Sequence, residues 1–249
     1  LDGRIESYVW VGDSDYDGGS IWKIDGRSGE VLFRTKVAGC KPYGFALDGR
    51  NPQNLWVSCR SNNALARIDT SRCTSAGCAA ETTPASGATD FRTCVGEGII
   101  NPGTANERNC DTAVKQRIAV PQSPYGITVD RNQRVWLGSD GSAYRYDPMA
   151  TGGSSGERWA RASTGTSRGI SVDALLFAYA AREGNRVTQV DGNAMGGGPT
   201  SNPFTLPSVE LDNTNNNASW GTAVDFDGKV WVLGKDRSVA MVLSPTTTF

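Results

Sequence analysis

The sequence predicts an all-β fold, a β-propeller of four-stranded antiparallel blades, of which about five are visible. Two observations predict it: a motif with a central glycine and a final aspartate recurs four times, and further short runs of alternating apolar residues follow each copy. Runs of this length and period are typical of strands, and a unit of roughly 40 to 50 residues is typical of propeller blades. Because a propeller closes by pairing its first and last blades, we expect these five to belong to a ring of six or seven.

The first strand of a blade is marked by the repeated motif itself, which reads PYGFALD (42–48), PYGITVD (124–130), SRGISVD (167–173) and SWGTAVD (219–225). The second strand is predicted at YVWV (8–11), LWV (55–57), VWL (135–137), LFAY (176–179) and VWV (230–232). The third is predicted at SIWKID (20–25), ALARID (64–69), AYRYD (143–147) and RVTQVD (186–191). The blades then cover residues 1–39, 40–121, 122–165, 166–217 and 218–249 of a single domain over residues 1–249.

Two residue types each recur in four of the five blades and are predicted to be structural. The motif aspartates are Asp48, Asp130, Asp173 and Asp225. A carboxylate needed in every blade usually accepts hydrogen bonds from turn amides, so this function is favoured over acid–base catalysis. Tryptophans share one position of the second strand: Trp10, Trp56, Trp136 and Trp231. Their size and regular spacing predict that they fill the core between blades.

Composition limits the classes of partner. Lys and Arg total 25 and Asp and Glu total 26, so the chain of 249 residues has a net charge of −1 and no overall field to attract nucleic acid. No run approaches the roughly 20 apolar residues that cross a bilayer, and residues 1–4 lack the features of a signal peptide, so we expect a mature or truncated chain without direct membrane insertion. The expected partner is a protein or carbohydrate ligand, or neighbouring subunits of a surface assembly.

Six cysteines predict disulfide bonds: Cys40, Cys59, Cys73, Cys78, Cys94 and Cys110. Their even number and clustering indicate an oxidising location, which is extracellular, periplasmic or at the cell surface. A zinc site is the alternative, but the chain has no histidine and no CxxC pair. Cys40 and Cys59 flank the same edge of one blade and are one candidate pair among several connectivities. The other four lie in a loop insertion at residues 73–113, where Cys73–Cys78 and Cys94–Cys110 are the simplest local pairs.

The repeated P-x-G-φ-x-φ-D followed by V-W-V, where φ is apolar, resembles the streptogramin-lyase and NHL-type propellers. The resemblance covers nearly the whole chain and implies the propeller fold. Lyase members of that family use a histidine general base beside magnesium, and this chain offers no histidine to which that function could be carried over. Propeller lactonases that resemble regucalcin hold calcium in the channel. A metal-dependent lyase or lactonase acting in the central channel is therefore the enzymatic alternative to a binding module.

A calcium site is predicted at DSDYDG (13–18), a D-x-D-x-D-G loop between two strands. Alternate carboxylates on a tight turn converge on a hard cation, so Asp13, Asp15 and Asp17 would bind Ca²⁺ together with the carbonyl of Gly19. Ile24 stands where an EF-hand has its bidentate glutamate, so the match is partial. An acidic hairpin turn without calcium is the alternative.

A ligand-binding site is predicted from the residue before each motif glycine, which opens the first strand of its blade near the mouth of the channel. The four equivalent residues are Tyr43, Tyr125, Arg168 and Trp220. Three aromatic rings and one guanidinium favour binding of a sugar, a peptide or a small ligand by stacking and charge-assisted hydrogen bonds. The alternative is that these large side chains only fill space between blades. Together these features predict a secreted or cell-envelope propeller that acts as a binding or assembly module.

Overall fold

The computed structural model describes residues 7–13, 20–36, 40–50, 53–70, 114–150, 159–184, 186–194, 208–210, 219–235 and 240–243. The predicted calcium loop beyond Asp13, and Cys73, Cys78, Cys94 and Cys110 with the 73–113 insertion, lie outside these ranges. No helix in the described part of the chain is long and apolar enough to cross a membrane.

The described residues form five sheets of consecutive strands, with antiparallel pairing between neighbours. Sheet 1 holds β1 (Tyr8–Asp13), β2 (Ser20–Asp25) and β3 (Val31–Lys36). Sheet 2 holds β4 (Pro42–Leu47), β5 (Asn54–Cys59), β6 (Ala64–Asp69) and β7 (Val114–Ala119). Sheet 3 holds β8 (Pro124–Val129), β9 (Val135–Ser139), β10 (Ala143–Tyr146) and β11 (Trp159–Ala162).

Sheet 4 holds β12 (Ser167–Val172), β13 (Phe177–Arg182), β14 (Arg186–Asp191) and β15 (Ser208–Glu210). Sheet 5 holds β16 (Ser219–Val224), β17 (Val230–Gly234) and β18 (Ala240–Leu243). A single 3₁₀ turn, Arg60–Asn62, is the one helical element among the described residues. Repeated meanders of up to four strands confirm the predicted propeller blades.

The chain divides into two compact units. The first comprises Leu1–Phe45 and Arg50–Val120, and the second comprises Ala46–Gly49 and Pro121–Phe249. The core of the first unit contains Ile21 of sheet 1 against Leu55 and Val57 of sheet 2. In that core a disulfide joins Cys40 to Cys59, the pair on one edge of the blade, and both residues are fully buried. The prediction of one domain over residues 1–249 stays a prediction.

In the second unit, sheets 3 and 4 each bury an aromatic residue of their second strand against the sheet that follows in the chain. Trp136 of sheet 3 packs with Ile170 and Ala178 of sheet 4, and Tyr179 of sheet 4 packs with Val230 of sheet 5. The predicted function of the tryptophans in the core is thus confirmed for Trp136, which is 1% exposed. It does not hold for Trp231 of sheet 5, which is 41% exposed.

The motif glycines lie where first strands approach one another. A Cβ added at Gly126 of β8 would meet the Arg168 carbonyl oxygen at 2.6 Å, and one added at Gly169 of β12 would meet the Gly221 Cα at 2.7 Å. A real Cβ does not fit at either distance, so β8, β12 and β16 pack backbone against backbone. At Gly221 the nearest atoms belong to Leu233, at 3.8 Å, which is an ordinary contact.

Candidate functional site

A β-bulge interrupts the pairing at the start of β8, β12 and β16, at the position that the sequence marks as a ligand-binding residue. The register shifts between Pro124 and Ile127, between Ser167 and Gly169, and between Ser219 and Gly221. A bulge turns a side chain out of the regular alternation of a strand. Since the three first strands lie side by side, the bulged residues Tyr125, Arg168 and Trp220 come together at one end of the second unit.

Arg168 is the centre of this group. Its guanidinium carbon lies 3.8 Å from the centre of the Tyr125 ring and 5.3 Å from that of Trp220, and its side chain is 14% exposed. The Lys235 ammonium lies 4.7 Å from the centre of the Trp220 ring. Aromatic and cationic side chains thus alternate across sheets 3, 4 and 5, and each cation–π contact of this kind contributes about 0.5–1 kcal/mol or more.

Two carboxylates complete the group. Arg168 donates from Nε to Glu183 Oε1 at 2.7 Å, and its Nη1 lies 3.5 Å from Asp140 Oδ1. Each acidic residue follows the second strand of its sheet, and a backbone hydrogen bond holds it beside the start of the first strand: Asp140 N donates to the Ser123 carbonyl, and Glu183 N to that of Thr166. The Glu183 and Asp140 side chains are 41% and 49% exposed, so both carboxylates also face solvent.

We call this set the Arg168 cluster, and it consists of Tyr125, Asp140, Arg168, Glu183, Trp220 and Lys235. It contains three of the four ligand-binding residues predicted from the sequence. The fourth, Tyr43, belongs to the first unit, where its side chain is 39% exposed. The sequence did not predict Asp140 as a site residue, because Asp140 belongs to no recurring motif. Asp140 directly follows the second strand of sheet 3, as Glu183 directly follows the second strand of sheet 4. This equivalent position is the sequence signal that could have identified Asp140.

Three of the four motif aspartates, at the opposite ends of the first strands, accept hydrogen bonds from turn amides as predicted. Asp130 Oδ1 accepts from the backbone N–H groups of Asn132 and Arg134, while its Oδ2 accepts from the indole N–H of Trp136 at 2.9 Å. Asp173 and Asp225 repeat the arrangement, with the Tyr179 hydroxyl and the Trp231 indole as their aromatic donors.

Asp25, which follows Ile24 at the end of β2, is also a turn residue. Its Oδ1 accepts from the N–H groups of Arg27 and Ser28 at 2.8 Å each, and these hydrogen bonds lower the pKa of Asp25. Asp13 ends β1 and is the one predicted calcium ligand among the described residues. Within the described ranges, no group of three or more Asp, Glu, Cys or His residues is placed to hold a metal ion.

Solved structures with a similar fold include β-propellers. Virginiamycin B lyase from Staphylococcus aureus has a TM-score of 0.59 at 12% identity, over 98% of this chain and 69% of that chain. The WD40 β-propeller domain of Doa1 has a TM-score of 0.62 at 9% identity, over 98% of this chain and 62% of that one. A protein of unknown function from Bacteroides caccae has a TM-score of 0.60 at 11% identity, over 98% and 71%.

These likenesses establish the propeller fold. They agree with the resemblance to streptogramin lyases as far as the fold is concerned. No protein-family model and no curated protein matches the sequence. A second structure of the lyase is a catalytically inactive histidine-to-alanine variant with quinupristin, similar at a TM-score of 0.54 and 11% identity, whereas the present chain contains no histidine. The chain spans about seven-tenths of the length of the lyase that it resembles.

Proposed function

We propose that the chain is a binding module of a secreted or cell-envelope β-propeller and that it contacts a protein ligand through the Arg168 cluster. The observation that carries this proposal is the stacking of Arg168 on Tyr125 and Trp220 at one end of three neighbouring sheets. Tryptophan, tyrosine and arginine are the residue types that contribute most binding energy in protein interfaces. Here they are assembled by bulges, which hold them in place before a ligand arrives and so reduce the entropy lost on binding.

The charges around the stack favour a ligand that itself carries both signs. The exposed carboxylates of Asp140 and Glu183 and the exposed ammonium of Lys235 surround the less exposed Arg168. A polar rim around aromatic and arginine anchors is typical of protein interfaces. A polyanion such as nucleic acid would be repelled by the two carboxylates.

Export is supported by the Cys40–Cys59 disulfide, since structural disulfides persist in oxidising compartments. Calcium stabilisation is supported by the D-x-D-x-D-G pattern that begins at Asp13, the last residue of β1. In this proposal Ca²⁺ is structural and distant in sequence from the Arg168 cluster.

Trp220→Ala tests the proposed binding function. We expect the wild-type chain to bind members of an array of short peptides of mixed charge, and W220A to bind the same peptides about tenfold or more weakly, because an aromatic anchor is lost. Arg131→Ala removes an exposed charge from the β8–β9 turn, at the other end of sheet 3, and serves as the matched control. Circular dichroism establishes that both variants are folded.

Equal binding by W220A and the wild type would refute a function for the Arg168 cluster in binding, as would wild-type binding to no peptide. Binding to an array of oligosaccharides and to no peptide would assign the cluster to a carbohydrate ligand and overturn the protein ligand proposed here.

The alternative function is that of a metal-dependent lyase or lactonase. The likeness to virginiamycin B lyase at 12% identity is a likeness of fold, so it does not favour that reaction for this chain. The binding function has named side chains and contacts in its support, and we prefer it for that reason.

A further inference from the structure

Two guanidinium groups of sheet 3 converge on a single carbonyl oxygen of sheet 4. Arg145 Nη1 donates to the Gly192 carbonyl oxygen at 2.7 Å, and Arg134 Nη1 donates to the same oxygen at 3.4 Å. Arg134 immediately precedes β9 and Arg145 lies within β10, while Gly192 directly follows β14. The two like charges therefore lie within a few ångströms of each other, at the opposite end of the strands from the Arg168 cluster.

One carboxylate faces this pair at hydrogen-bonding distance, and it is already saturated. Asp130 Oδ2 accepts from Arg134 Nε at 2.8 Å and from the Trp136 indole, while its Oδ1 accepts two backbone N–H groups. Within the described part of the chain, Arg145 has no carboxylate oxygen within 4.0 Å. Two positive charges thus share one fully engaged negative charge, with Asp147 acting on Arg145 from farther away.

The pair also has donors to spare. Arg134 Nη2 and Arg145 Nε are buried and have no acceptor among the described residues. Burial, and after it the charge of Arg134, lower the pKa of Arg145 to about 10. Buried donors without a partner are rare in folded proteins, and where they occur an ion or a water molecule commonly satisfies them. An anion would satisfy these donors and offset the excess charge.

Packing accounts for one of the two arginines. The Arg145 guanidinium lies 5.9 Å from the centre of the Trp136 ring, and Arg145 is paired with Trp136 across the two strands. In sheet 4 the residue equivalent to Arg145 is the neutral Gln189, which is paired with Tyr179. A second arginine is not needed for that contact. The position of Arg134, four residues after the motif aspartate, is Phe177 in sheet 4 and Lys229 in sheet 5. Among the described residues of the second unit, sheet 3 alone has a cation both at the position of Arg134 and at the position of Arg145.

We propose that Arg134 and Arg145 form an oxyanion-binding site at the end of sheet 3. The planar forks of two guanidiniums suit a group with several oxygens, such as phosphate, sulfate or a carboxylate, and bind it by charge-assisted hydrogen bonds. Chloride is a single spherical acceptor without separate oxygen atoms for the two forks, so it binds more weakly. This site is independent of the proposed binding function, because it shares no residue with the Arg168 cluster.

Inorganic phosphate and sulfate are the probes, with sodium chloride at equal ionic strength as the reference. We expect the arginine Nε–H NMR signals of the folded wild-type chain to shift saturably with phosphate, those of Arg145 and Arg134 most. Arg145→Met keeps an apolar chain over Trp136 and removes the charge, so R145M should bind phosphate at least tenfold more weakly. Arg131 is an exposed arginine in the β8–β9 turn, three residues before Arg134, and R131M should bind phosphate as the wild type does.

Equal responses to phosphate and chloride would overturn the proposal, since they would mean that the free donors are satisfied by water. An unchanged phosphate affinity of R145M would also overturn it. Should R145M not fold, Arg145→Lys keeps the charge but loses the fork. Weaker phosphate binding by R145K with an unchanged response to chloride would then support the site, and an unchanged phosphate affinity would refute it.

Discussion

Three aspartates of the second unit divide their two oxygens in the same way. In Asp130, Asp173 and Asp225, Oδ1 accepts from the amides of the following turn, and Oδ2 accepts from an aromatic side chain six residues later. One side chain therefore fixes both the turn and the aromatic ring of the next strand, which is buried in the core for Trp136 and Tyr179. For Asp225, the hydrogen bond from Trp231 is the main cause that lowers its pKa.

Tyr179 allows this arrangement to be tested by pH. Burial, and after it the hydrogen bond to Asp173, raise the pKa of Tyr179 from 10.0 to about 12. Because the pKa is higher in the folded chain than in the unfolded one, the neutral tyrosine contributes stability that is complete below pH 10 and is lost as the pH rises to about 12. The contribution is of the order of 2–3 kcal/mol.

We expect Tyr179→Phe to lower the free energy of unfolding at neutral pH and to reduce its decline between pH 10 and pH 12, as measured by urea unfolding. In a spectrophotometric titration the variant should lack one tyrosine that ionises near pH 12. A decline with pH that is the same in both proteins would contradict the assignment.

Among the elements, the first strands show why the motif has an invariant glycine within this chain. The glycine positions of β8 and β12 are in contact with the backbone of the next first strand, and that contact is what places the bulged residues beside one another. Substitution of the glycines should therefore have unequal effects.

Gly126→Ala and Gly169→Ala should each destabilise the chain by about 2 kcal/mol or more, because the Cβ would meet backbone atoms that cannot move independently. Gly221→Ala is the matched control. Its Cβ would have ordinary contacts with Leu233, so its effect should lie within about 1 kcal/mol of zero. Urea unfolding of the three variants provides the comparison, and equal losses would show that the close approach is not the cause.

The sequence predicted these elements well because their signals are local. Alternation of apolar residues marks β8, β9 and β10, and the recurrent aspartate marks the turns. The bulges were not predicted, since a register shift depends on the pairing of two strands and leaves no trace in either one. The Arg134–Arg145 pair was missed for a similar reason: the two residues belong to different strands, and a carbonyl of the next sheet brings them together.

At the scale of the whole molecule, the predicted calcium loop should affect thermal stability. Calcium at about 100 times its dissociation constant should raise the thermal midpoint by about 5–10 °C, because a ligand that binds the folded state alone stabilises it. Asp15→Asn should abolish this response. Asp25→Asn, which alters a turn carboxylate with its own amide donors, should keep it. A midpoint that neither calcium nor a chelator changes would refute the site.

Sheet 5 has a further consequence for the stability of the array. In a stack of repeats, each unit is stabilised by the neighbours that pack against it. Trp231, Leu233 and Val242 are exposed by 41%, 55% and 44%, whereas Trp136, the counterpart of Trp231 in sheet 3, is buried against residues of sheet 4. An element that packed on these exposed side chains would therefore stabilise β16–β18, and with them the Trp220 and Lys235 side chains of the Arg168 cluster.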